Sequence, residues 1–294
     1  MRIFGLLAWA LVFFLNTYTS AQNDASTLKK SLGKLEDVHS KMGPVRAGDW
    51  LDSHKESGQT FAQYIRSRPK KPTNKRKVLY VLPLGEFDDT QMKIVDLSTE
   101  FLGLYFDCES KQLDALSLDV IPKKARRVHP NWGVRQILST YVLDDLLKPR
   151  LPEDAFALIA LTSSDLYPAD SWNFVFGQAS LRNRVGVWSM FRNGDPKVEY
   201  KTVLRRTLQT ATHETGHMLS IKHCIAYECN MCGSNNHRES DRRPLYLCPE
   251  CVAKVWWSTQ CDPVKRFEKL KKFCETNKLG REAEFYQRSI ELLQ

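Results

Sequence analysis

Residues 213–223 read His213-Glu214-Thr215-Gly216-His217-Met218-Leu219-Ser220-Ile221-Lys222-His223, which places three of the chain's seven histidines in one short stretch. On a helix, His213 and His217 stand one turn apart on the same side, so their imidazoles can reach one ion. Glu214 adjoins the first of them. A zinc hydrolase needs neutral nitrogen ligands, a nearby carboxylate base and one open coordination position. This segment supplies the ligands and the base. For His223 to serve as a third ligand, the helix must end sharply near residue 220 and the chain must fold back. Glycine commonly makes such a stop with a positive φ. The residue here is Ser220, for which that conformation costs ~1–2 kcal/mol.

The flanking pattern places this segment on a long helix. Leu204, Leu208, Ala211, Thr215 and Leu219 recur at spacings of three or four and form the expected core face. The histidines lie off that row and face a cleft. Asp195-Pro196 reads as the helix start, because Asp caps and Pro suits the first turn. Upstream, Val78 to Leu84, Ala155 to Leu161, Asn173 to Gln178 and Arg184 to Met190 are strand-like. Tyr105-Phe106-Asp107-Cys108 is expected to begin a further strand. Residues 88–104 and Val134 to Leu147 carry helical spacing. Alternating strands and helices predict an α/β (α+β) domain followed by a small irregular subdomain. The expected organisation is residues 22–77 as N-terminal extension and linker, 78–262 as the catalytic domain and 263–294 as a helical segment broken at Asn277 to Gly280.

Cys224, Cys229, Cys248 and Cys251 follow the histidines at once, and they could bind a second, tetrahedral zinc. A Cys-x-x-Cys turn such as Cys248-Pro249-Glu250-Cys251 suits a metal. Disulfides are the alternative that export would permit, and Cys232 lies close enough to replace Cys229. Cys108, Cys261 and Cys274 receive no role. A second zinc would anchor the loop that presents His223, since His223 and Cys224 are neighbours.

The chain's 294 residues, 42% of them hydrophobic, suffice for a sizeable core. Its net charge of +9 raises the question of nucleic acid. No basic strand interleaved with aromatics supports that reading, so the lysine and arginine runs are read as solvated surface. Met1-Arg2, the apolar run Ile3 to Leu15 and small residues at Thr19 and Ala21 have the layout of a signal peptide over residues 1–21. Secretion is therefore expected, with an intracellular location as the alternative.

The motif His213-Glu214-x-x-His217-x-x-Ser220-x-x-His223-Cys224-x4-Cys229-x-Met231, then Cys248-x-x-Cys251, resembles the signature of the archaemetzincins, a branch of the metzincin zinc peptidases. Leu82-Pro83-Leu84-Gly85-Glu86-Phe87, Asn173-Phe174-Val175-Phe176-Gly177-Gln178-Ala179 and Arg184-Val185-Gly186-Val187-Trp188-Ser189 also match, and Gly48-Asp49-Trp50-Leu51 resembles the N-terminal extension of animal members. The resemblance spans roughly residues 45–260. It implies a metzincin-like zincin fold: a mixed twisted sheet over an active-site helix, with a small Cys-rich lower subdomain. It implies a zinc metallopeptidase with catalytic zinc on His213, His217 and His223, Glu214 as general base to a zinc-activated water, and Met231 in the turn beneath the metal. It further implies structural zinc on Cys224, Cys229, Cys248 and Cys251, giving two zinc ions per chain. The strand near 184–190 would be the edge strand that pairs with an extended substrate. Two departures stand out: Ser220 replaces the family glycine, and the interval from Met231 to Cys248 is one residue shorter than the pattern. The expected partner is a peptide or protein substrate, with no nucleic acid, no membrane after signal removal and a monomeric state. The rival reading is a catalytically silent zinc protein that binds peptides in the same cleft.

Overall fold

The structure is a computed structural model, which describes residues 28–180 and 182–294. The expected signal peptide lies outside the described residues. Five strands form the main sheet: β1 (Val78–Leu84), β2 (Glu109–Gln112), β5 (Ala155–Thr162), β7 (Gly177–Ser180) and β8 (Val185–Ser189). Their order is β2-β1-β5-β8-β7, parallel except for β7, which runs antiparallel to β8. A smaller sheet holds β3 (Arg126–Val128), β4 (Arg135–Leu138) and β6 (Asp165–Tyr167).

Every residue of β1, β5 and β8 is buried, because the main sheet is covered on both faces. Alternation along each strand divides the side chains between two cores. Leu79, Val81, Ile159, Leu161 and Trp188 point to one core, whereas Tyr80, Leu82, Leu158, Ala160, Val185 and Val187 point to the other. Helices α2 (Asp89–Phe106) and α3 (Tyr200–Met218) pack in the first core with α4 (Pro249–Thr259), α5 (Pro263–Thr276) and α6 (Gly280–Leu293). Leu32 and Leu35, together with Phe61 and Tyr64 of α1 (Phe61–Arg66), join the same core. Asn277 does break the C-terminal helices, as expected from sequence.

Five sequence expectations are corrected. The segment Val134 to Leu147 is not one helix: Arg135–Leu138 is β4, paired in parallel with β6, and helical turns begin only at Ser139. Its apolar spacing was compatible with either period, and pairing with β6 decided for strand. Tyr105 and Phe106 end α2 rather than opening a strand, and Asp107 closes that helix in the left-handed conformation with φ 47°. Within Asn173 to Gln178 only Gly177 and Gln178 are strand. Asp195 caps an isolated turn through Lys197 N–H at 2.9 Å, and α3 starts later, at Tyr200. A local Asx turn competed there with helix propagation. Finally, β8 is interior to the sheet. The edge strand next to it is β7, whose far side has no strand partner among the described residues.

Candidate metal centres and cleft

Helix α3 buries Leu204, Leu208 and Ala211 in the core, while His213 and His217 lie on its far side and Glu214 on its flank, all three only partly buried. The helix then stops as the sequence required. Ser220 has φ 67°, the Ser220 N–H donates to His217 O at 2.8 Å and the Ile221 N–H donates to Gly216 O at 3.1 Å. This is a Schellman stop with serine at the left-handed position. The Ser220 hydroxyl is used there: it accepts from the Lys70 N–H at 3.1 Å. That bond offsets part of the strain. Replacing Ser220 by Val removes the acceptor and forces a β-branched residue into the left-handed region. Ser220→Val is therefore expected to cost ~2 kcal/mol or more, whereas Ser220→Gly should stay within ~1 kcal/mol of the parent. Urea denaturation of both variants checks this, and equal stability of the Val variant and the parent would contradict it.

The reversal brings His223 back beside the helix pair. Ligand atoms of His213, His217 and His223 lie within 4.8 Å of one another. The Nδ1 of His213 lies 2.8 Å from Asn230 O, that of His217 2.7 Å from Ile221 O, and that of His223 2.8 Å from Glu56 Oε1. A carbonyl or carboxylate oxygen only accepts, so each Nδ1 carries the proton. In the neutral rings each Nε2 is then a bare lone pair. Yet Nε2 of His213 and Nε2 of His217 stand 3.1 Å apart. Two lone pairs at that distance repel unless a cation lies between them. Nitrogens bound tetrahedrally to one zinc at ~2.0 Å sit ~3.3 Å apart, so the observed spacing fits the ion. Burial lowers the affinity of all three rings for protons, and for His213 the other two imidazoles add to a pKa well below the ordinary value. The rings are thus neutral at pH 7, as ligands must be.

Glu214 faces the same cleft. Burial pushes its carboxyl up to about 7, with His223 opposing. The β7 strand passes close above it: a side chain added at Gly177 would put its Cβ 3.3 Å from Glu214 Cγ. The cleft measures about 690 Å³ and is lined by Glu214, His217, His223, Ala179 of β7 and the segment 55–59. Met231 is fully buried beneath α3, where its Sδ would lie 2.6 Å from a Cβ at Gly216. Its carbonyl accepts from the Cys224 N–H at 2.8 Å.

The second cluster unites Cys224, Cys229, Cys248 and Cys251, all buried, with their sulfurs within 4.8 Å of one another. Cys224 Sγ and Cys248 Sγ are 3.7 Å apart, far beyond the ~2.05 Å of a disulfide. Thiolates on one tetrahedral zinc stand ~3.8 Å apart. The Cys248 N–H points at Cys229 Sγ from 3.3 Å and the Met231 N–H from 3.5 Å, an arrangement suited to a thiolate. Burial pushes the Cys229 and Cys248 thiols up, which a bound cation would reverse. Cys232 stays outside the set, with its thiol on Tyr227 O at 3.2 Å. All eight cysteines are free, including Cys108, Cys261 and Cys274. The geometry therefore favours a metal over the disulfide alternative.

Sequence reasoning found both clusters but missed the groups behind the imidazoles. Asn230, whose carbonyl serves His213, also donates from Nδ2 to Thr212 Oγ1 at 2.7 Å. Glu56 and Trp50 belong to the N-terminal segment, and only the Gly48-Asp49-Trp50-Leu51 match hinted at them.

Comparison with known proteins agrees with this geometry. Residues 131–256 match the family model described as Peptidase family M54. Archaemetzincin-2 of Rattus norvegicus is 33% identical over 88% of this chain and 79% of its own length. Archaemetzincin of Archaeoglobus fulgidus is 30% identical over 60% of this chain and 98% of its own. The crystal structure of archaemetzincin from Methanopyrus kandleri superposes with a TM-score of 0.50 at 28% identity, covering 65% of this chain and 99% of that one. The zincin-like α/β fold, the clustered histidines and these relatives together lead to one conclusion: the chain belongs to the archaemetzincin family, peptidase family M54, and is a zinc metallopeptidase.

Proposed function

We propose that this protein cleaves peptide bonds at the three-histidine site with Glu214 as general base, and that it holds a second, structural zinc on the four cysteines. His213, His217 and His223 would hold the catalytic zinc, and Cys224, Cys229, Cys248 and Cys251 the other. When bound, the catalytic zinc supplies Lewis acidity that lowers the pKa of a water from about 15.7 to about 7. Everything else falls to the chain's own residues. Glu214 takes the proton from the attacking water and hands it to the amine nitrogen of the departing product. Burial pushes this carboxyl up while a bound dication would pull it down, so it can serve as base to the water and then as acid to the amine. The free edge of β7 offers main-chain groups to an extended substrate, and Gly177 lets that backbone pass close to Glu214.

The single observation that carries this reading is the pair of facing Nε2 lone pairs 3.1 Å apart, with Glu214 beside them in the cleft. The partner it implies is a peptide or protein. Among the described residues no helix is long and apolar enough to cross a membrane. The test is hydrolysis of a quenched fluorescent peptide library. Activity should vanish on treatment with 1,10-phenanthroline and return with stoichiometric zinc, and His217→Ala should show none. Cleavage by the His217 variant would point to another centre.

A further inference from the structure

The three imidazoles are not held alike. His213 and His217 give their Nδ1 protons to main-chain carbonyls of Asn230 and Ile221, close to the histidine motif in the sequence. His223 gives its proton to a carboxylate, Glu56, 167 positions away. Glu56 Oε1 also accepts from Trp50 Nε1 at 3.0 Å, while Glu56 Oε2 is buried without a hydrogen-bond partner. A carboxylate oxygen buried without a partner is costly unless positive charge lies close. Its other oxygen is bonded to His223, and its charge also reaches His217, so an ion held by these rings would supply positive charge beside it.

The segment bearing Glu56 is locked in place from both ends. On one side, Asp49 pairs with Arg242 at 2.6 Å and the Trp50 N–H donates to the buried Glu239 carboxylate at 3.0 Å. The Trp50 indole stands edge-on to His223 at 5.3 Å, and its approach requires Gly233, where a Cβ would come within 2.4 Å of the indole. On the other side, Gln59 grips the turn that delivers His223. Its Oε1 accepts from the Lys222 N–H at 3.2 Å and its Nε2 donates to Ser220 O at 3.3 Å. Beyond it, the Phe61 N–H donates to Glu250 Oε2 at 2.6 Å.

We infer that Glu56, braced by Trp50, is a positioning residue of the metal centre: the N-terminal segment completes the site by fixing the ring and tautomer of His223. This rests on reading the histidines as a zinc site. A carboxylate behind a ligating imidazole raises its basicity more than a carbonyl does. It also adds a negative charge beside a dication held by three neutral rings. In this role Glu56 acts through His223.

The test is competition for zinc by a chromophoric chelator on the full chain, with the four-cysteine zinc as internal reference. Removing a carboxylate partner of a metal ligand typically weakens the metal about 10- to 100-fold. Glu56→Ala should therefore release one zinc at correspondingly lower chelator concentration, and the cysteine zinc should be unmoved. Glu56→Gln keeps an acceptor for His223 without the charge and should recover part of the loss. Trp50→Phe, which keeps a ring but drops the indole N–H, should shift less than Glu56→Ala. If Glu56→Ala does not fold, Glu56→Gln decides, since any loss of charge support must still show in its zinc affinity. Parental zinc affinity in the Glu56 variants overturns the inference. If the parent chain loses no zinc on His213→Ala, the histidine site itself falls, a distinct outcome.

Discussion

Glu214→Gln is expected to lower kcat/KM by about 10²- to 10⁴-fold, the contribution of a well-placed general acid–base group, while zinc stays bound. Gln has nearly the same shape but cannot accept the proton that Glu214 must carry. The histidine ligands depend on Asn230, Ile221 and Glu56 for their orientation, not on Glu214, so metal content should not change. Folding should not suffer either. Glu214 is held in an environment that pushes its carboxyl toward the neutral form, and a neutral amide meets no such penalty there. Steady-state kinetics with parallel zinc analysis separates these effects. Retained turnover would remove Glu214 from the mechanism. Absence of hydrolysis in the parent chain as well, with peptides still bound, would favour the silent peptide-binding reading.

Replacing both Cys248 and Cys251 with Ser should be the most damaging change to the fold. Both residues are fully buried, and two hydroxyls left there could not hold the zinc proposed for the four cysteines. Loss of a metal belongs among the few causes that exceed ~4 kcal/mol. Binding energy at a structural zinc is folding energy. The damage should also reach the histidines. Cys224 follows His223 directly, and its N–H is bonded to Met231 O beneath α3. The double variant should therefore show a large drop in thermal stability and weaker retention of the catalytic zinc. Differential scanning calorimetry and zinc analysis check both, and an unchanged Tm with unchanged zinc would refute the structural role.

The parts of this site that sequence revealed are those whose geometry is local. A four-residue spacing on a helix fixes where His213 and His217 point, and a return of His223 demanded a left-handed residue, which Ser220 provides at φ 67°. The pairs Cys224/Cys229 and Cys248/Cys251 were legible for a similar reason, since a short loop and one helical turn hold each pair together. The buried strands β1, β5 and β8 were readable as continuous apolar runs. What escaped was set by distant partners. Arg135–Leu138 became strand only because β6 lies beside it. The sheet edge fell to β7 because its order depends on crossovers that no local pattern encodes. Glu56 sits in a polar stretch with no periodicity, and its meaning comes from His223, across the whole catalytic domain. The linker-like composition near it gave no warning that it walls the cleft.

The central claim is that three neutral imidazoles share one zinc while four thiolates hold another. Zinc per chain, measured by inductively coupled plasma mass spectrometry on protein purified without added metal and again after zinc reconstitution, tests it most directly. The prediction is two zinc ions for the parent chain and one for His213→Ala and His217→Ala, with the remaining ion resistant to mild chelation. A histidine variant that still carries two zinc ions, or a reconstituted parent that holds only one, would contradict the account.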